Sequence, residues 1–339
     1  CLYDIVVRFG TDAVRSYTAF RTVKVAPDGA GRFRFFLNGE PLLLRGVLDQ
    51  GYWSDGLMTA PSDEALAFDI QAMKDAGFNM LRKHLKVEAD RWYYHCDRRG
   101  MLVWQDMVSG GGAYDGWETS YKPTLWRGSW DGYEDTSASH QRRLGSDDDA
   151  YQRQWLRECR GTVTHLRAHP SVVTWVLFNE GWGQFDAEKA TEALRALDPT
   201  RLVDEASGWF DRGGGDVHSI HNYFYPLRIR PNVRTVALSE YGGIAWPMPG
   251  HEPPRKTYGY GTARSRAELT ERYCDLQRKT VLPQLKKGLS ALVYTQLTDV
   301  EDEVNGLFTY DRTAIKPDAA AVRAVNEALE AEFEKAVKA

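Results

Sequence analysis

The chain has 339 residues, 42% of them hydrophobic and 12% aromatic, with a formal net charge of −4. That length suits one large α/β domain with a small appendage, and the near-balanced charge, with no basic run or aromatic-basic ladder, argues against nucleic acid as a partner. No stretch approaches the roughly 20 apolar residues that span a bilayer and no signal-peptide h-region is legible, so no membrane partner and a cytoplasmic location are expected.

The chain starts at Cys1 in sequence that reads as mid-domain, which is expected of a piece of a longer protein. Residues 1 to about 37 carry the strand-like runs LYDIVVRFG, SYTAFRTVKV and PDGAGRFRFFLNG, punctuated by Asp28-Gly29 and Asn38-Gly39. This β segment is too small to bury a core of its own. From Pro41 strands alternate with helices: LLLRGVL (42–48), then a helix that Ser62 would cap and Gly77 would end. NMLRKH (79–84), a helix over 89–99 stopped by Gly100, and MLVWQDM (101–107) continue the series. A polar insertion at 108–148, rich in glycine and aromatics including Trp117, Trp126 and Trp130, reads as a wall around a site. After a helix over 149–168 come VVTWVLFNE (172–180), a helix over 187–197, RLVDEAS (201–207), DVHSIHNY (216–223) and RTVALSEYG (234–242). A helix over 265–285, LSALVYTQLTD (289–299) and a helix over 318–335 complete the pattern.

Eight strands in β–α alternation predict a parallel sheet closed into a (β/α)8 TIM barrel. An open doubly wound sheet would need a glycine-rich phosphate turn after its first strand, and Arg45-Gly46-Val47-Leu48 is not one. In a barrel all strand C-termini surround one mouth. Glu180 would end the fourth strand and Glu240 the seventh, approaching from opposing sides. Asp49 and Gln50, Arg82 and His84, Asp106, Glu205, His221, Asn222 and Tyr223, Gln296 and Asp299 are the other polar tips, with Trp182 and Trp246 nearby.

Two strand-end glutamates among aromatics and glycines suit glycosidic bond cleavage. That reaction needs a proton for the leaving oxygen and a carboxylate to meet the developing positive charge. Eleven Trp and seventeen Tyr supply the flat apolar faces that sugars pack against. Arg82, Asn222 and Tyr223 are expected as donors to Glu240, while Trp175, Phe178 and Trp182 are expected to raise the pKa of Glu180. The four cysteines form no C-x-x-C pair and read as free thiols; the eight histidines show no metal-ligand cluster, so no cofactor or metal is expected.

The segments FRFFLNGEPLLLRGV, DIQAMKDAGFNMLR, YYHCDRRGMLVWQD, HPSVVTWVLFNE and LSEYGG together resemble the catalytic barrel of glycoside hydrolase family 2, which contains β-galactosidases, β-glucuronidases and β-mannosidases. The resemblance covers roughly residues 33 to 320. It implies a retaining double displacement with Glu180 as acid/base and Glu240 as nucleophile. It further implies that Asn179 binds the sugar 2-hydroxyl, that Tyr223 steadies Glu240 and that Arg82 lies beside it. Asp49, His84, Asp106, Trp182 and Asn222 are the further expected substrate contacts. Residues 1–32 then look like the last strands of an immunoglobulin-like domain and 33–339 like the barrel, with upstream sugar-binding and immunoglobulin-like domains as partners in the parent chain and homo-oligomerisation open.

The sequence departs from the family after Arg82 (Lys83-His84-Leu85-Lys86), after the first strand, and on the eighth strand, where Tyr294-Thr295-Gln296 replaces a common tryptophan. The Asn-x-Lys with which glucuronidases hold a carboxylate is not recognisable around Glu303-Val304-Asn305-Gly306. The expectation is therefore an exo-β-glycosidase of β-galactosidase type, with β-glucuronidase or β-mannosidase specificity, a non-catalytic carbohydrate-binding fragment and a metal-dependent barrel hydrolase as rivals.

Overall fold

The computed structural model describes residues 1–126, 133–251 and 256–338. An outward hairpin of β1 (Tyr3–Phe9) and β2 (Asp12–Thr18) comes first, every β1 side chain being exposed. Such a pair fits a fragment of an immunoglobulin-like sandwich. A three-stranded antiparallel sheet of β3 (Val23–Pro27), β4 (Phe33–Leu37) and β5 (Glu40–Leu42) follows.

The barrel strands are β6 (Leu44–Asp49), β7 (Met80–Lys83), β8 (Leu102–Asp106), β9 (Val172–Asn179), β10 (Leu202–Ser207), β11 (Val217–Asn222), β12 (Thr235–Gly242) and β13 (Leu289–Thr295). They form one parallel eight-stranded sheet in the order β10-β9-β8-β7-β6-β13-β12-β11. β10 and β11 face each other across the remaining seam, bridged by Ser219 Oγ donating to Asp204 Oδ2 at 2.6 Å and Asp216 N donating to Val203 O at 2.7 Å. The barrel is thus nearly closed.

Period-two alternation sorts the strand residues into two cores. Leu44, Leu48, Met80, Trp104, Val173, Ala237, Ala291 and Val293 fill the barrel interior, and Phe35 of β4 joins them, its ring 5.7 Å from that of Trp104. The β3–β5 sheet therefore packs onto the interior cluster, and the expected division at residue 32 falls between its first two strands. Val47, Leu81, Val103, Trp175, Leu177, Leu238 and Leu292 belong to the other core, where strands meet the surrounding helices.

Helix starts follow their caps: Ser62 Oγ accepts from Ala65 N at 3.2 Å and Asp148 Oδ1 from Ala150 N at 2.8 Å. The helix expected over 265–285 is divided, with Arg266–Asp275 running into a π-turn over Leu276–Val281 before Leu282–Leu285. The cause is Pro283, which has no N–H to give and whose ring crowds the preceding turn; a wider turn relieves both. The same device recurs in the 108–148 insertion, where the π-turn Trp117–Tyr121 precedes Pro123. That insertion is not a bare loop: it also contains the helix Ala138–Arg143. Trp130 lies outside the described residues. Among the described residues no helix is long and apolar enough to cross a membrane, and all four cysteines are free thiols.

Candidate active site

β9 ends in Asn179, and Glu180 then takes a left-handed backbone conformation, φ +54°, followed by Gly181 at φ +77°. The chain turns sharply there and carries the Glu180 side chain to the mouth. Gly181 is required as well as tolerated: a Cβ at that position would lie 2.4 Å from the Phe210 ring. Glu240 lies within β12 and is 6% exposed. Carboxylate oxygens of Glu180 and Glu240 and a ring nitrogen of His221 all lie within 4.8 Å of one another. Both glutamates line a cavity of ≈ 680 Å³.

A buried guanidinium organises this centre. Arg82 Nη1 donates to Glu240 Oε1 and to Ser239 O, each at 3.1 Å, and Nη2 to Asn179 Oδ1 at 2.8 Å. Its Nε and Nη2 also grip Asp106 at 3.0 Å and 2.9 Å. Burial alone would push the Asp106 carboxyl up, but the charge of Arg82 and the hydrogen bond from His84 hold it below its ordinary value. An ionised Asp106 can only accept, so His84 Nδ1, 2.8 Å from Asp106 Oδ2, carries the proton. Asp106 thus holds Arg82 and His84 in place from a buried position behind the cavity wall.

Tyr223 Oη donates to Glu240 Oε2 at 2.8 Å and lies 2.9 Å from Thr295 Oγ1. Burial and the neighbouring Glu240 charge push its phenol far up, so it remains a donor. Its ring stacks on Tyr260 with centroids 3.6 Å apart, and Gly243 allows that approach, since a Cβ there would lie 2.5 Å from the Tyr260 ring.

Glu180 is pushed up to about 7, chiefly by burial and further by Glu303, against the opposing pull of His84 and Arg82. The expected apolar flank is corrected. Phe178 stacks on Trp155 at 4.6 Å and Trp175 donates to Asp198 at 3.1 Å, both on the helix-facing side of the barrel. Of the three only Trp182 lines the cavity, stacked near Tyr114 with its buried indole N–H unpartnered among the described residues.

His221 is the partner of Glu180 that the sequence reading left without a role. Its Nδ1 lies 2.8 Å from Glu180 Oε1, its Nε2 2.9 Å from Ser207 Oγ and 3.6 Å from Glu240 Oε1. Burial, with Arg82 and His84 adding to it and Glu240 opposing, lowers it to about 4, so the imidazole is neutral at pH 7. Its strand-tip position was visible in the sequence; that its ring turns between the two glutamates was not. Tyr260, in the alternating Tyr258-Gly259-Tyr260-Gly261 segment, was missed altogether.

Two expected contacts point elsewhere. Asp49 turns to the outer side of β6, where its Oδ2 pairs with Lys83 Nζ at 2.6 Å and Oδ1 accepts from Gly51 N at 2.8 Å; it is absent from the cavity lining. Asn222 donates to Tyr225 O at 2.9 Å and contributes nothing to Glu240. Arg82 and Asp106 act through Glu240, Asn179 and His84, since neither lines the cavity. Asn179, Tyr223, His84 and Trp182 do line it, as do Gln50 and Ser120, Tyr121 and Thr124 of the insertion. Trp246 packs instead with Ile244, Ala263 and Leu269, and Asp299 is locked to Lys316 at 2.7 Å. Among the described residues Glu180, His221 and Glu240 are the one group with metal-ligand spacing, and Arg82 already supplies Glu240 with a positive neighbour.

A parallel barrel with two carboxylates facing each other at its C-terminal mouth has the form that two-carboxylate glycoside hydrolysis requires. Residues 32–229 match glycosyl hydrolases family 2, TIM barrel domain, and the chain belongs to that family. It is 28% identical over 243 residues to a β-galactosidase of Klebsiella pneumoniae (strain 342), covering 69% of this chain and 19% of that protein. With a β-mannosidase of Capra hircus it shares 24% identity over 250 residues, covering 70% and 22%. A β-glucuronidase structure from Parabacteroides merdae with glycerol in its active site superposes with a TM-score of 0.65 at 17% identity, over 93% of this chain and 41% of that one. A family 2 β-galacturonidase from Eisenbergiella tayi bound to galacturonate gives 0.63 at 16%, over 97% and 58%. The chain spans about a fifth of the length of the curated relatives it matches.

Proposed function

We propose that this barrel hydrolyses terminal β-linked sugars as a retaining exo-β-glycosidase, of β-galactosidase type. The carrying observation is the approach of the two carboxylates, with an oxygen of each within 4.8 Å. Retaining enzymes hold their carboxyl groups about 5–5.5 Å apart, whereas inverting ones leave about 6.5–9.5 Å for a water. Glu240 attacks the anomeric carbon as the bond to the leaving oxygen breaks and Glu180 gives that oxygen its proton. Water then attacks the same carbon, Glu180 takes a proton from it, and the Glu240 carboxylate leaves.

The environments fit the two roles. A carboxyl with a pKa near 7 is a competent proton donor at neutral pH. Glu240 is held in position by donors on both oxygens, Arg82 Nη1 on Oε1 and Tyr223 Oη on Oε2. Asn179 keeps its amide nitrogen for a ligand because its oxygen is taken by Arg82. A cavity walled by Ser120, Tyr121 and Thr124 of the insertion and by Tyr258 and Tyr260 suits the end of a sugar chain; a binding module would need neither the close glutamates nor their divided environments.

The stereochemical course tests this reading. Proton NMR of an aryl β-galactoside digest should reveal the β-anomer as the first-formed sugar; the α-anomer appearing first would overturn it.

A further inference from the structure

Resting on that reading, we infer that Glu303 is a specificity-determining residue: its carboxylate accepts a hydrogen bond from a ring hydroxyl of a neutral sugar and excludes sugars that themselves carry a carboxylate. Glu303 follows β13 and lines the same cavity as Glu180 and Glu240. Among the described residues its oxygens are held by amides: Gln50 Nε2 reaches Oε2 and Asn305 Nδ2 reaches Oε1, both at 3.1 Å. Gln296 ties the two amides together, its Oε1 accepting from Gln50 and its Nε2 donating to Asn305 Oδ1, each at 2.8 Å. No ion pair reaches Glu303 among the described residues.

The loop that carries it is built to be still. Val300 and Glu303 exchange backbone hydrogen bonds at 3.0 Å and 2.9 Å, Tyr258 N donates to Asp302 O and Val304 N to Tyr258 O, and the buried Asp299–Lys316 pair anchors its base. A carboxylate fixed by neutral donors keeps accepting capacity for a hydroxyl, and a preorganised acceptor discriminates sharply against a ligand lacking the matching donor.

The surrounding charges explain the exclusion. Among the described residues three carboxyl groups line the cavity, and the one ammonium lining it, Lys86, is committed to Glu88 at 2.8 Å, Gly51 O and Met58 O. Arg82 and His84 are committed to Asp106. A uronate placed here would bring a further negative charge to a site with no uncommitted cation among the described lining residues.

The test compares the full chain with its Glu303→Gln variant on an aryl β-galactoside, its singly deoxygenated analogues and an aryl β-glucuronide. The wild type should prefer the galactoside by about 10³-fold or more in kcat/KM, and removing the hydroxyl that Glu303 reads should cost about 10²-fold. In Glu303→Gln both ratios should shrink at least tenfold with thermal stability little changed, which a merely structural residue would not produce. A wild type that prefers the glucuronide, or ratios unchanged in the variant, would overturn the inference while leaving the glycosidase reading intact. Calorimetric binding of a neutral iminosugar against its carboxylate-bearing counterpart separates the two ideas. Neutral preference lost in Glu303→Gln without any turnover would support the role of Glu303 and sink the hydrolase reading, and equal binding of both ligands would sink the role of Glu303.

Discussion

Arg82 and Glu240 face each other inside the barrel, Nη1 3.1 Å from Oε1, while the other edge of the same guanidinium is clamped by Asp106. The pairing fixes the candidate nucleophile and supplies its countercharge. Arg82→Lys keeps the charge but loses the fork that serves Asp106, Asn179 and Glu240 together. Its kcat should fall roughly 10²–10³-fold. Arg82→Ala strands two buried carboxylates and should lower unfolding free energy by roughly 3–5 kcal/mol in urea titrations. Wild-type kcat in Arg82→Lys would contradict the positioning role.

Tyr223→Phe removes only the hydroxyl that donates to Glu240 Oε2 and leaves the ring stacked on Tyr260. The expected outcome is a kcat loss on the order of 10²-fold with KM nearly constant, because the donor acts on the attacking group rather than on bound sugar. A change confined to KM would assign Tyr223 to binding instead.

Glu180 sets two pH dependences. For substrates with poor leaving groups the alkaline limb of kcat/KM should fall near pH 7, where Glu180 loses its proton. Stability follows the same group. Its folded pKa, about 7, lies above its ordinary 4.5, so the fold favours the protonated form; that contribution is complete below about pH 4.5 and is lost as pH rises through about 7. At 1.36 kcal/mol per unit the swing is on the order of 3 kcal/mol. Glu180→Gln does not titrate, so its Tm relative to wild type should be higher at pH 8 than at pH 5, and equal differences at both pH values would count against the buried-acid account.

Glu180→Ala separates the two chemical steps. Substrates with good leaving groups should still glycosylate Glu240, and azide should restore turnover by replacing the water that lacks its base, giving the β-glycosyl azide. Failure of azide to raise the rate with an activated aryl glycoside would argue against Glu180 as acid/base.

Chelation addresses the metal-like spacing of Glu180, His221 and Glu240. Activity after exhaustive EDTA treatment and gel filtration should equal that of the untreated protein. Loss of activity restored by a divalent ion would move the site to metal-assisted hydrolysis.

The barrel was legible because its strands are apolar runs closed by polar tips, and the glutamate pair because both members sit at such tips. The fate of Asp49 was less visible. Leu48 and Arg82 point into the barrel, so their neighbours Asp49 and Lys83, paired in register, point outward and meet as an ion pair. Period two predicts this once the inward phase is known, and treating every tip residue as mouth-facing overrode it. Trp175, expected as an apolar flank of Glu180, lies in mid-β9 on the outward phase and packs among the helices. Tyr260 and the partners of Glu303 come from loops, which carry no periodicity, so only the folded chain brings them to the cavity.

The most direct test of the two-glutamate account is trapping with an activated 2-deoxy-2-fluoro-β-glycoside, followed by intact-mass and peptide mapping. The account predicts one covalent sugar per chain, on Glu240 and absent from Glu240→Gln; a label on another residue, or turnover that proceeds with Glu240 replaced, would contradict it.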